Sequence, residues 1–162
     1  MGFFSPLIFS VMLLGLLAIF GQESKFAAIN NTSAQMQSNG QSFLAYRNAV
    51  MTYQQNNPGF AGVVPVAQIT SIGGAFSSSF LAQVSNVVVA TGVRNTRVVI
   101  CYGPLSQGVA EQASIAANND ASFGISNGTT WTSAAVGASR ASMPLATTIA
   151  SGNIVSVIEL DL

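Results

Sequence analysis

Asn57-Pro58-Gly59 is the point at which this chain must change character. Pro58 has no backbone N–H and pushes its predecessor out of helical geometry, and Gly59 frees the backbone for a turn. Before this stop, Ile29, Met36, Phe43 and Val50 recur at seven-residue intervals, and Phe26, Leu44, Ala45 and Met51 widen the stripe. That is the narrow apolar face of an amphipathic helix. Asn30 to Ser33 and Ser38 to Ser42 are weak helix formers, and Gly40 is about 1 kcal/mol worse than Ala in a helix interior. The half nearest Pro58 should therefore be the stable part, held by tertiary packing, and a break could fall near Gly40, so the pattern leaves one helix or two open.

The start of the chain is different. Phe3 to Phe20 reads FFSPLIFSVMLLGLLAIF, and no charged side chain occurs before Glu23. A helix of this length spans roughly 27 Å, close to the hydrocarbon thickness of a bilayer. Pro6 falls in the first turn, where its missing N–H is harmless. A cleaved signal peptide would need a basic leader, a shorter apolar core and small residues before the cut. Ile19 and Phe20 spoil such a site, so a retained membrane anchor is expected. Lys25, offset by Glu23, says almost nothing about orientation.

After Pro58 the pattern becomes β-rich. VSNVVVATG and RVVICYG are β-branched runs separated by VRNT, which predicts an antiparallel hairpin. Pro104 opens PLSQGVAEQASIAANND, where Leu105, Val109, Gln112, Ala113 and Ala116 fit one helical face. Ser122–Ser126 and Thr129–Thr132 flank Asn127-Gly128, a strong hairpin signal. SAAVGASRASMPLATTIAS reads as a connection, leading to a last strand, NIVSVIELDL. Residues 66–83 admit a short helix or a loop around Gly73-Gly74. The expected fold class is α+β: an N-terminal transmembrane and stalk helix, then a small antiparallel sheet with a packed helix, β-β-α-β-β plus a terminal strand. The expected division is an anchor at 1–21, a stalk helix at 22–57 and an α+β domain at 58–162.

Composition narrows the chemistry. The chain has no histidine and one cysteine, which removes imidazole bases, His metal sites and an intrachain disulfide. Cys101, inside VVICYG, reads as a buried inert thiol. Charged residues make up 6% of the chain, against about 25% in ordinary soluble domains. Net charge is zero, and Lys25, Arg47, Arg94, Arg97 and Arg140 are scattered, so no nucleic-acid footprint exists. Gly124-Ile125-Ser126-Asn127-Gly128 matches the nucleophile-elbow pattern, but Asn-Gly predicts a strand-to-strand turn and no histidine partner is available. Glu159 and Asp161 share one face of the last strand and read as solvated. No catalytic residue, cofactor, metal or small-molecule substrate is expected. Arg47, beside the helical stripe, faces either solvent or a carboxylate.

An N-terminal apolar helix running into a stalk and a β domain resembles the plan of type IV pilins. It departs from them in lacking a basic leader and in carrying Leu7 where the pilin glutamate would stand. AYRNAVMTYQQNNPGFAGVVP, Ala45 to Pro65, resembles more closely the PilM family of type IVb pilus systems, associated with thin conjugative pili. Tyr46, Arg47, Asn48, Asn57, Pro58, Gly59, Phe60 and Gly62 carry the resemblance; as structure, they mark the helix-to-domain junction. The resemblance implies a non-enzymatic, single-pass bacterial inner-membrane component of pilus biogenesis with a periplasmic C-terminal domain. Its partners would be pilus assembly proteins, pilins or further copies of itself. An exposed edge strand, with NIVSVIELDL the first choice, or the stalk's apolar stripe would serve for docking. The alternative is a minor pilin-like filament subunit.

Overall fold

The computed structural model describes residues 32–92, 96–138 and 141–161. The Phe3–Phe20 run, Lys25, Arg94 and Arg140 lie outside the described residues. Among those described, no helix is long and apolar enough to cross a membrane. By compactness the chain divides into Met1–Gln35 and Met36–Leu162, and the second unit is the one built around a sheet.

Helix α1 covers 32–56 and ends at the Asn57-Pro58-Gly59 stop. Two short helices follow, α2 (Val66–Gly73) and α3 (Ser78–Leu81), in the stretch that had admitted helix or loop. α2 stops at Gly74, and the Ser77 side chain caps α3 by accepting from the Phe80 N–H at 3.2 Å. Next come β1 (Ser85–Ala90), β2 (Thr96–Gly103), α4 (Gln107–Ala116), β3 (Phe123–Ser126), β4 (Gly128–Ser133), β5 (Met143–Ile149) and β6 (Ile154–Asp161). The α4 N-cap is Ser106, so Pro104 precedes the helix rather than opening its first turn.

The strands form one sheet in the order β1-β2-β6-β3-β4-β5, every pair antiparallel. Side chains alternate between its faces. Val88, Val99, Cys101, Phe123 and Ile154 point to the helices and join Phe43, Tyr46, Val50, Ile69, Phe80 and Val109 in the main core. The opposite face carries a second cluster, Ile100, Trp131, Ile149 and Val155, with Val98, Leu145 and Val157 partly buried around it.

Two sequence expectations are corrected here. MPLATTI is a strand, β5, and not part of a connection. Its alternating half-buried and exposed positions obey the strand period, but Ala, Thr and Pro144 mute the signal. The terminal strand is not an exposed edge: β6 pairs with β2 on one side and β3 on the other. Ile154, Val155 and Ser156 are all buried, as the near-continuous apolar run of a central strand requires.

Helix α1 also runs unbroken through Gly40. The glycine is there for proximity: a Cβ on it would lie 2.7 Å from the Gln112 Cβ and 2.9 Å from the Ala113 backbone nitrogen of α4. Its removal therefore sets two effects against each other. Alanine gains about 1 kcal/mol of helix propensity but overpacks a backbone contact, typically a loss of about 1–3 kcal/mol. Since the atom struck includes backbone, the second effect wins. Gly40→Ala should lower the thermal midpoint followed by circular dichroism, although the same substitution stabilises an ordinary exposed helix.

Candidate functional site

The segment Ala45–Pro65 holds α1 against the sheet and turns the chain onto the sheet's edge. Phe43, Arg47, Val50 and Gln54 follow the helical spacing i, i+4, i+7, i+11, so one face of α1 carries two large polar residues among the apolar ones. All four are buried. Tyr46, one position round, is buried among Phe76 and Phe80, with ring centroids 6.1 and 6.2 Å away in edge-to-face geometry.

Tyr46, Arg47 and the amide nitrogen of Gln54 on this face have partners, while the buried Gln54 Oε1 has none. The Tyr46 hydroxyl oxygen accepts from Asn86 Nδ2 at 2.9 Å. Burial, only partly offset by that hydrogen bond, pushes the phenol up to about 12 and keeps it protonated. Asn86 also clamps the backbone of Val64, accepting from its N–H at 2.8 Å and donating to its carbonyl at 3.2 Å. Gln54 Nε2 donates to the carbonyls of Pro58 and Phe60, each at 3.3 Å, and so braces the turn that follows the helix.

Arg47 reaches a carboxylate, one of the two readings its sequence position left open. Its Nη1 pairs with Asp120 Oδ2 at 2.6 Å and donates to Ser122 Oγ at 3.0 Å. Nε and Nη2 donate to Asn48 Oδ1, and the guanidinium carbon stands 4.5 Å from the Phe123 ring centre. Burial raises the Asp120 carboxyl, but the Ser122 N–H and Arg47 outweigh it and hold the group below its ordinary value. This pair joins α1 to the loop between α4 and β3.

The remaining motif residues shape the junction. The Phe60 N–H bonds to the Asn57 carbonyl at 2.9 Å, with Pro58 and Gly59 at the exposed corner between them. Asn57 Nδ2 donates to the Tyr53 carbonyl near the end of α1, and the Phe60 ring meets Tyr53 edge-on at 5.3 Å. Gly62, with φ of +119°, makes a two-bond antiparallel bridge to Val88 on the outer edge of β1. Tyr46, Arg47 and Phe60 thus point into packed structure, while Asn48, Asn57, Pro58 and Gly59 are exposed.

Comparison with known proteins decides what this junction belongs to. The family model described as PilM matches residues 9–157. The chain belongs to the PilM family. A crystal structure of a PilM protein from Escherichia coli B7A is similar over 78% of this chain and 94% of that one, with a TM-score of 0.53 and 18% identity. At that identity the likeness is one of fold. A comparison with curated proteins found no match.

Sequence reading missed three residues of this PilM-family junction: Asn86, Gln54 and Asp120. Asn86 had a signal, since it interrupts the inward register Val84, Asn86, Val88. Gln54 had one too, four residues after Val50 on the apolar face. Asp120 had none, because only the fold brings it to Arg47. Ser126, the centre of the elbow-like pattern, is the buried last residue of β3; it donates to the Ile149 carbonyl at 2.8 Å and accepts from the Gly128 N–H. The Cys101 thiol is buried and its pKa is pushed up to about 12 by that burial. Among the described residues, no three His, Cys, Asp or Glu side chains gather as metal ligands.

Two recesses among the described residues bear on recognition. A groove of about 880 Å³ runs between Gly108 and Glu111 of α4, Ile125, the end of β4 at Thr132 and Ser133, and the connection 134–138. A smaller cleft of about 280 Å³ lies between Val98, Val157 and Glu159 on one side and Pro144, Leu145 and Ala146 on the other.

The ion pair makes two measurable claims. Arg47 is 8% exposed, whereas the Asp120 side chain keeps 33% of its surface. Asp120→Ala leaves a guanidinium buried without its carboxylate and should destabilise on the order of 3 kcal/mol. Arg47→Met leaves a carboxylate that water can reach and keeps packing on Phe123, so it should cost about 1 kcal/mol. Urea midpoints should rank the variants in that order. The native Asp120 pKa lies below the ordinary 3.8, so its contribution is complete above that pH. It is lost as pH falls through the native value, because the unfolded chain takes up the proton first. In Asp120→Asn this part of the acid loss should vanish from the stability-against-pH curve.

Proposed function

We propose that this chain is a non-enzymatic component of type IVb pilus biogenesis that works by protein–protein recognition. In this reading Phe3–Phe20 anchors it in the bacterial inner membrane and Met36–Leu162 stands in the periplasm. The observation that carries the proposal is how the PilM-family segment is used. Tyr46, Arg47, Gln54 and Gly62 lock a helix to a sheet and deliver the chain to the sheet's edge. The Tyr46 hydroxyl, the Arg47 guanidinium and the Gln54 amide nitrogen are taken up by neighbouring protein groups rather than turned into a recess, as suits a rigid docking body. The partners it would meet are pilus assembly proteins and pilins.

A second reading, a minor pilin-like subunit, is favoured by one observation: an apolar N-terminal run precedes a helix packed on an antiparallel sheet. The two readings diverge in processing and location. Under the first, the full-length product stays with membranes through a carbonate wash and needs detergent for release. The extracted protein then co-purifies inner-membrane pilus proteins. Recovery mainly in sheared external filaments, with Phe3 as the first residue, selects the second. A full-length product that leaves the membrane in carbonate as a free monomer overturns both.

A further inference from the structure

The two edges of the sheet are finished differently. At β1 the edge is occupied: Gly62 bridges Val88 through hydrogen bonds of 2.9 and 2.8 Å, and Asn86 clamps Val64 beside it. At the other end, β5 pairs with β4 alone among the described residues. An open strand edge is a template for another strand, and proteins that must prevent this place charges there. β5 reads MPLATTI and carries none. Its Pro144 is the one device that discourages pairing, and it lies near one end.

The second observation is the cleft beside it. Val98 belongs to β2, Val157 and Glu159 to β6, and Pro144 to Ala146 to β5. In the strand order β3 and β4 separate β5 from β6, yet all six residues line one recess. The sheet therefore curls until its open edge faces its own middle strands across about 280 Å³. A strand laid along β5 would meet free backbone groups on one side and the apolar walls of the cleft beneath. Glu159, exposed at the rim, has no ion-pair partner among the described residues.

We infer that the open edge of β5, with the cleft of Val98, Leu145, Val157 and Glu159, receives an extended segment of another protein as an added strand. This deepens the recognition role proposed above and rests on it. The segment should carry bulky apolar side chains at alternate positions to fill the recess, and a lysine or arginine to meet Glu159. A second copy of β5 fits less well: MPLATTI carries no lysine or arginine to meet Glu159.

The test uses the intact, detergent-extracted protein and a capped synthetic heptapeptide alternating valine with threonine, with lysine at each end. Saturable binding below about 1 mM is expected, with backbone NMR shifts concentrated on Met143–Ile149 and on Val98 and Val157. Ala146→Glu places a charge on the edge and Glu159→Lys reverses the rim; both positions are exposed, so the fold should persist. Each should weaken binding about ten-fold or more, and a peptide ending in glutamate should bind wild type correspondingly worse. Absence of binding, shifts confined to the larger groove, or affinity unchanged in both variants overturns the inference. Co-purification separates the two levels. If both variants retain pilus proteins as well as wild type does, the edge is not the docking site and the broader role stands. If wild type retains none, the broader role is what fails.

Discussion

The packing of one face of α1 against the sheet governs the rest of this domain. That face is unusual in mixing Phe43, Tyr46 and Val50 with Arg47 and Gln54. Purely apolar packing would tolerate rotation or sliding of the helix at modest cost, because apolar contacts have little direction. The polar members remove that freedom. Arg47 satisfies its carboxylate at one place only, and Asn86 meets both the Tyr46 hydroxyl and the Val64 backbone. A helix rotated by one position would bury a guanidinium, an amide and a phenol without partners, each a penalty of about 1–3 kcal/mol or more. The helix is consequently held in one register, and so is the chain that leaves it.

From that register the asymmetry of the sheet follows. Gln54 braces the Pro58–Phe60 turn, the turn aims Gly62 at Val88, and the β1 edge is closed. No comparable device reaches β5 among the described residues. One edge is thus spent on the fold and the other is left over. The faces divide in the same way. Helices cover one, and the curl of the sheet covers the other only in part, leaving Val98, Leu145 and Val157 half-buried around the cleft.

How much of this could be read from residues alone depended on the range of the interactions. The end of α1, the β1–β2 hairpin and the β3–β4 turn at Asn127-Gly128 are local, and each carried its own signal. The central place of β6 is not local. It depends on β2 and β3 arriving from far along the chain, and a terminal strand gives no warning that both its edges are taken. β5 was obscured by composition, since Pro144 and small residues resemble a loop until a neighbour pairs with them. At Gly40 the sequence left continuity open for a physical reason as well: propensity weighs the helix alone, while α4 decides the contact. The junction residues Tyr46, Arg47 and Gly62 stood out in sequence. Their partners Asn86 and Asp120 did not, because pairing is a property of the fold.

Strand addition at a single short edge is a weak interaction in isolation. Net backbone hydrogen bonds contribute about 1 kcal/mol each, and ordering an extended segment takes back a comparable amount per residue. The surplus must come from side chains entering the cleft, and 280 Å³ leaves room for few of them. Such a contact suits a component that meets its partner at high local concentration. If Phe3–Phe20 holds this chain in the membrane where its partners are also held, confinement supplies that concentration without any further contact. The sparse charge of the chain then has a use. A surface poor in charge does not repel its neighbours at close range, and a weak, reversible edge can exchange partners while the locked helix keeps the domain intact.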